Sequence, residues 1–229
     1  SNGIVLQRNT PLTLEGWASP GEEILLHFAG NEFKTRTKND STWILELPPQ
    51  KAGGPYEMVF KGENEITVSN VLFGDVWLCS GQSNMVLPME RVKEKYPEEI
   101  ANAKYPEIRH FFIPAMTELE EPRNELPTGS WKEANPENVP DFSAVAYFFA
   151  KKVYEKYQVP IGLINASVGG MPIEAWISEK GFKSFPEILK TIQQNKNEEY
   201  VDSLIEASQT APREPADCGM MDNPKWYEE

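Results

Sequence analysis

The chain has 229 residues, 40% of them hydrophobic, which is enough to fill the core of one large domain or of two modest ones. Its formal net charge of −13 at pH 7 would repel a phosphate backbone or an anionic lipid surface, so nucleic acid is excluded as an expected partner. No apolar run reaches the length of a membrane-spanning helix, and the first residues lack the basic and apolar regions of an export signal.

Residues 1–70 carry the pattern of an antiparallel β structure. Short segments with alternating apolar and polar residues recur there, and turn sequences such as SPGE, KNDS and KAGGP separate them. The spacing predicts an all-β sandwich domain over residues 1–70.

After about residue 71 the pattern changes to buried strands that alternate with helical stretches. Three near-continuous apolar runs, GDVWLCS, EIRHFFIP and PIGLINAS, are typical of strands in a largely parallel sheet. Residues 141–158 predict a helix capped by Asp141 or Ser143. The core-facing stripe predicted for this helix consists of Val145, Phe148, Phe149 and Val153. This is the layer architecture of an α/β domain.

Ser83 follows the first of these strands, in the sequence GDVWLCSGQSNM. The carboxyl ends of strands in open α/β sheets collect ligands and catalytic groups, and Gly81 permits a turn that a side chain would obstruct. Ser83 is therefore either a nucleophile whose backbone N–H suits an oxyanion, or an ordinary turn serine. The lipase-type motif G-x-S-x-G is not matched, because Met85 occupies its last position.

A glycine pair follows the third strand, in the sequence INASVGGMPIEAW. The N–H groups of Gly169 and Gly170 could face Ser83 across the crevice and supply a second oxyanion donor. The alternative is a tight strand-to-helix turn without a catalytic role. Together the two strand ends predict a crevice suited to acyl transfer.

The two motifs, with the leading segments GIVLQR, LEGWASPGEEI and TWILELPPQKAGGPYEM, resemble the sialate O-acetylesterase group of the SGNH hydrolase superfamily. The resemblance implies a flavodoxin-like three-layer α/β/α hydrolase domain, of which residues 71–215 form the first part, preceded by the β sandwich. It also implies a serine esterase that removes O-acetyl groups from a carbohydrate, either sialic acid or an acetylated polysaccharide, through an acetyl-serine intermediate.

The resemblance assigns roles to particular residues. Ser83 attacks the acetyl carbonyl, and its own N–H holds the oxyanion together with that of Gly169 or Gly170. Met171 stands where similar sequences often carry threonine, so a hydrogen bond from that hydroxyl is lost. The expected substrate contacts are Gln82, Asn84, Met171, Glu174 and Trp176.

Two elements of the family pattern have no counterpart in the sequence: the oxyanion asparagine of a QGE-x-N block and the histidine base. His27 falls in a sandwich strand and His110 within a sheet strand, so neither is expected to act as the base. We therefore expect the catalytic histidine outside this chain and the chain of 229 residues to be inactive alone. The remainder of the polypeptide would complete the sheet, and residues 216–229 would open an inserted β domain.

No cofactor and no metal are expected. Cys79 and Cys218 have no zinc-like spacing, and Cys79 is interpreted as a small buried thiol. The expected partner is an O-acetylated carbohydrate, and export to the periplasm, cell surface or medium is inferred from the resemblance alone. The alternative is a carbohydrate-binding or scaffolding protein with a vestigial serine. Within enzymes, a lipase-like or peptidase-like hydrolase is the second interpretation.

Overall fold

The computed structural model describes residues 1–116, 123, 125–126 and 129–210. They divide into two compact units, one within residues 1–171 and one from residue 172 onward. The predicted start of an inserted β domain at 216–229, with Cys218, lies outside the described residues. Among the described helices, none combines the length and the hydropathy that crossing a bilayer requires.

Seven strands precede the first helix, and they form two sheets that share a core. The second and fifth strands form a two-stranded antiparallel sheet, which lies over a larger sheet. In the larger sheet the first strand runs parallel to the seventh. Side chains of the two sheets, including Trp43 and Leu45 from one and Leu26 and Phe73 from the other, form one buried cluster. The strands are β1 (Val5–Gln7), β2 (Leu12–Trp17), β3 (Glu23–Phe28), β4 (Asn31–Arg36), β5 (Thr42–Leu47), β6 (Gly53–Lys61) and β7 (Glu65–Gly81).

The long strand β7 continues through position 70, where the sequence predicts a domain boundary, and enters the α/β part of the fold. Its second half pairs in parallel with β10 (Ile161–Ser167), which pairs in parallel with β8 (Tyr105–Phe112). The predicted parallel strands are therefore confirmed. The separate sandwich domain stays a prediction.

The strand order differs from the flavodoxin-like one. That order places the first parallel strand between the second and third. Here β10 lies between β7 and β8. The other edge of β8 pairs with the antiparallel strand β9 (Trp131–Ala134), so β8 does not pair with β7. The flavodoxin-like prediction is therefore wrong for the described strands, although the mixed α/β architecture holds.

Three helices accompany this sheet: α1 (Ser83–Val86), α2 (Pro97–Ala101) and α3 (Ala144–Tyr157). The hydroxyl of Ser143 caps α3 by accepting the Ala146 N–H at 3.2 Å, which confirms one of the two predicted caps. The predicted stripe is wrong in part, because Val145 is 50% and Phe149 38% exposed. Small side chains let the helix approach the sheet closely, so its buried face is instead Ala144, Ala146, Tyr147 and Ala150.

The two faces of this sheet have different surroundings. On one face Cys79 and Leu163 pack with α3, and burial raises the pKa of the Cys79 thiol, as expected for a small buried cysteine. Leu78 points to the opposite face and is 69% exposed. A large apolar side chain left open on a strand of this sheet indicates a face that lacks a covering layer within the described residues.

A buried arginine ties the strands of the first unit together. The Arg109 guanidinium of β8 is 4% exposed and donates to the carbonyl oxygens of Gly3 and Asn70. These bonds hold β8 against the chain that precedes β1 and against the middle of β7. The parallel sheet therefore has a fixed register relative to the N-terminal strands.

The second unit is helical in its described part. Two 3-10 helices, Ile173–Trp176 and Glu179–Phe182, precede α4 (Pro186–Asn195) and α5 (Glu198–Thr210). Glu179 accepts hydrogen bonds from Gln193 and Lys196, which fasten the second 3-10 helix to α4.

Candidate active site

Ser83 lies immediately beyond the carboxyl end of β7. Gly81 closes the strand with a φ of +147°, a conformation that favours glycine, and Gln82 then precedes α1. The residues 82–84 are all exposed. The sequence therefore presents the Ser83 hydroxyl at the surface, at the end of a buried strand.

The glycine pair lies beyond the carboxyl end of the neighbouring strand. Ser167, the last residue of β10, is opposite Gly81 in the parallel register, and the Val168 N–H donates to the Gly81 carbonyl oxygen at 3.0 Å. A β-carbon added to Gly169 would lie 3.6 Å from both the Cα and the Cβ of Ser83. Gly169 and Ser83 are therefore spatial neighbours, with room between them for no more than a methyl group.

The backbone around Ser83 offers donors to a ligand. Within residues 1–116 and 129–171, no acceptor bonds to the N–H of Ser83 or of Gly169. Two such groups beside one hydroxyl are the elements from which an oxyanion site is built. Gly170 has a φ of +76°, so the turn after Gly169 uses a conformation that glycine adopts without strain.

Packing beneath α1 fixes the position of the serine. Met85 packs against the core cluster of the α/β part, and its sulfur accepts a hydrogen bond from the Ser143 hydroxyl at 3.5 Å. The N–H of Ala144 also donates to the Leu87 carbonyl at 2.8 Å. The start of α3 therefore holds α1, a role for Met85 that the sequence analysis missed.

A second missed feature lies under the turn. Asn165 and Ser167 are both 2% exposed, and the Ser167 hydroxyl donates to the Asn165 side-chain oxygen at 2.5 Å. Polar residues at alternate positions of an otherwise apolar strand were the signal that could have found this pair. The bond stiffens the end of β10 directly before the glycine turn.

The predicted substrate contacts fall in different places. The Gln82 side-chain amide donates to the Met171 carbonyl oxygen at 2.6 Å, while Asn84 is exposed on α1 and the Met171 side chain is 41% exposed. Glu174 and Trp176 belong to the second compact unit, in the 3-10 helix Ile173–Trp176. Contact of these five residues with a substrate stays a prediction.

Neither histidine lies at the strand ends. His110 is opposite Leu163 and hence level with Trp77, four residues before Gly81, or about 13 Å along the strand. It is buried and stacked on Phe142 with ring centroids 4.6 Å apart, and burial lowers its pKa to about 4.

The other histidine, His27, lies on β3, with its ring 3.8 Å from Glu32. Among the described residues, no histidine, cysteine or carboxylate cluster of three is arranged to hold a metal ion. Among the described residues, the two strand ends therefore bring together a serine and backbone N–H donors but neither of the two histidines.

The fold and the site define an α/β protein with an exposed serine and a glycine turn side by side at the ends of two parallel strands. Residues 73–206 match the model of a family described as carbohydrate esterase, sialic acid-specific acetylesterase. The match covers more than half of the chain. The protein therefore belongs to this family of carbohydrate esterases.

Individual relatives agree with this assignment. The sialate O-acetylesterase of Rattus norvegicus is 37% identical over 156 residues, which cover 63% of this chain and 29% of the relative. That of Homo sapiens is 31% identical over 202 residues, which cover 80% and 39%. A crystal structure of a carbohydrate acetylesterase from Xanthomonas citri is similar with a TM-score of 0.76 and 38% identity, over 79% of this chain and 41% of that one. The chain spans well under half the length of these relatives.

Proposed function

We propose that this chain is part of a serine esterase that removes O-acetyl groups from a carbohydrate. The observation that carries the proposal is the proximity of Gly169 to Ser83, with both N–H groups free of acceptors among the described residues. Relatives named for sialate and for carbohydrate acetylesterase activity support a sugar ester as the substrate, either an O-acetylated sialic acid or an acetylated polysaccharide.

In the proposed reaction the Ser83 oxygen attacks the acetyl carbonyl carbon and its proton passes to a base. The carbonyl oxygen becomes an oxyanion, which accepts hydrogen bonds from the N–H of Ser83 and of Gly169 or Gly170. Each such donor contributes about 10²- to 10³-fold in rate. The C–O bond to the sugar then breaks, the sugar oxygen takes the proton, and water later hydrolyses the acetyl-serine to acetate.

A base is required because a serine hydroxyl is a poor nucleophile on its own. With His110 buried inside the sheet and His27 on β3, we propose that the base is a histidine outside this chain, in a longer polypeptide. The same polypeptide would cover the open sheet face at Leu78 and complete the three-layer architecture. Residues 1–229 alone would then release acetate at no more than a background rate.

The proposal extends to the compartment and to the substrate contacts. Export is inferred from the family, and Asn84, Met171, Glu174 and Trp176 are proposed to contact the sugar. No organic cofactor or metal takes part in the proposed chemistry.

The test uses the complete polypeptide, with 4-nitrophenyl acetate and an O-acetylated sialic acid as substrates. We expect Ser83→Ala to abolish release of acetate from both, while binding of the deacetylated sugar is retained. Equal hydrolysis by the wild type and the variant would refute the nucleophile assignment. Sugar binding without any hydrolysis by the wild type would instead identify a carbohydrate-binding protein with a vestigial serine.

A further inference from the structure

The side chain of Gln82 makes the second of two bonds that bracket the glycine turn. Its Nε2 donates to the Met171 carbonyl oxygen at 2.6 Å, across 89 positions of sequence. At the other end of the turn, the Val168 N–H donates to the Gly81 carbonyl oxygen at 3.0 Å. The turn is thus held at its entrance by residue 81 and at its exit by residue 82.

The turn between these two bonds needs such support. Gly169, Gly170 and Met171 are all exposed, and a β-carbon on Gly170 would meet nothing within 4 Å, so side-chain packing does not fix this stretch. Glycine also has more backbone freedom to lose than any other residue. Hydrogen bonds at the two ends are therefore what keeps the Gly169 N–H at a constant position.

The position of that N–H matters for the proposed chemistry. An oxyanion donor is effective only when it points at the place where the negative charge develops, with an accuracy of about 0.5 Å. Gly81, Gln82 and Ser83 are consecutive, so the nucleophile and both anchors of the turn move as one short segment. The bond from Gln82 goes to a backbone carbonyl, so it does not depend on the side chain at position 171.

We propose that Gln82 is a positioning residue that fixes the second oxyanion donor relative to Ser83, rather than a substrate contact. This inference rests on the proposed function. One of the two Nε2 protons is already used by Met171, which favours the positioning role. A substrate contact would act mainly on KM, whereas a positioning residue acts on kcat, because the oxyanion forms only in the transition state.

The first experiment measures kcat and KM of the complete polypeptide carrying Gln82→Ala. We expect kcat to fall by about 10²-fold, the usual effect of a misplacement of about 1 Å, with KM within about threefold of the wild type. Gln50 offers a matched control, because its Nε2 donates to the Pro48 carbonyl at 2.8 Å in the loop between β5 and β6. Gln50→Ala removes the same kind of bond and should leave both constants unchanged.

The second variant, Gln82→Glu, adds a pH signature that a general loss of structure would not give. The ionised carboxylate cannot donate to the Met171 carbonyl, whereas the protonated carboxyl can. The activity of the variant relative to the wild type should therefore rise as the pH falls toward about 4.3, the ordinary pKa of a glutamate. A ratio that is independent of pH would contradict the positioning role.

A third readout does not need activity. Without its anchor the turn should open more often, so hydrogen exchange of the Val168 amide should be faster in Gln82→Ala than in the wild type or in Gln50→Ala. Unchanged exchange, or a rise in KM alone, would overturn the inference. Failure of the proposed function is recognised separately, because then the wild type itself releases no acetate and Ser83→Ala changes nothing.

Discussion

Gly169 lies so close to Ser83 that a β-carbon on the glycine would touch the Cα and Cβ of the serine at 3.6 Å. That distance is an ordinary van der Waals contact, so alanine fits at position 169 without displacing the backbone. The added methyl group would nevertheless occupy space beside the hydroxyl. Stability and activity should therefore respond differently to substitution here.

For Gly169→Ala we expect a free energy of unfolding close to that of the wild type and a fall in kcat/KM of about tenfold, because the methyl group narrows the approach of the acetyl carbonyl. Urea unfolding and hydrolysis of 4-nitrophenyl acetate by the complete polypeptide measure the two quantities. Unchanged kcat/KM would show that substrate does not approach Ser83 from the side of Gly169.

For Gly170→Ala, unlike Gly169→Ala, we expect a lower free energy of unfolding. Gly170 has a φ of +76°, where a β-carbon costs about 1–2 kcal/mol, although the space around it is open. We expect urea unfolding to show a loss of about this size, and Gly170→Asn to lose less, since asparagine tolerates this conformation better. If both variants lost the same free energy of unfolding, the loss would come from side-chain contacts and not from the backbone conformation at residue 170.

His110 should make stability depend on pH. Burial holds its pKa at about 4 in the folded state, against about 6.5 when unfolded, so the unfolded chain binds the proton more tightly. The contribution of neutral His110 to the free energy of unfolding is complete above about pH 6.5. As the pH falls toward about 4 this contribution is lost, and the free energy of unfolding falls by up to about 3 kcal/mol. His110→Gln should flatten this slope in urea unfolding, and His27→Gln, at a partly exposed site on β3, is the control.

If the free energy of unfolding of His110→Gln depended on pH as steeply as that of the wild type, groups other than His110 would be responsible for the pH dependence. Lys132 and Asp141 also act on His110, the lysine lowering and the aspartate raising its pKa, so Lys132→Met should reduce the difference between the two states. The same unfolding series measures this.

Leu78 tests whether more polypeptide covers the sheet. In residues 1–229 the side chain is 69% exposed, so Leu78→Lys should leave the stability of that chain nearly unchanged. In the complete polypeptide it should cost at least about 2 kcal/mol, because burial of a leucine is lost. Val145→Lys, at a half-exposed position of α3, is the matched control and should be mild in both. A mild effect of Leu78→Lys in the complete polypeptide would contradict the proposed covering layer.

Sequence reasoning predicted the parts of the fold that depend on local patterns. The three parallel strands were visible because near-continuous apolar runs are typical of strands in a parallel sheet, and Ser143 because helix caps are local. The helix stripe was misjudged because alanines pack closely against a sheet although they contribute little to an amphipathic pattern. The strand order depends on long-range pairing, with β9 at the edge, and no local signal carries it.

The same distinction applies to the candidate site. Two glycine-terminated strands predicted that Ser83 and Gly169 belong to one crevice, and the register of β7 and β10 places them close together. The bonds from Gln82 to Met171 and from Val168 to Gly81 could not be predicted, because they join residues that are distant in sequence through backbone groups. Such contacts follow from the folded geometry and not from residue types.

In the proposed reaction, Ser83 carries the acetyl group between its removal from the sugar and its hydrolysis. Intact-mass measurement of the complete polypeptide, quenched in acid during turnover of 4-nitrophenyl acetate, tests this directly. We expect a species heavier by one acetyl group, mapped to the peptide that contains Ser83 and absent in Ser83→Ala. Rapid acetate release with no acetylated protein in the wild type, or with full activity in Ser83→Ala, would contradict it.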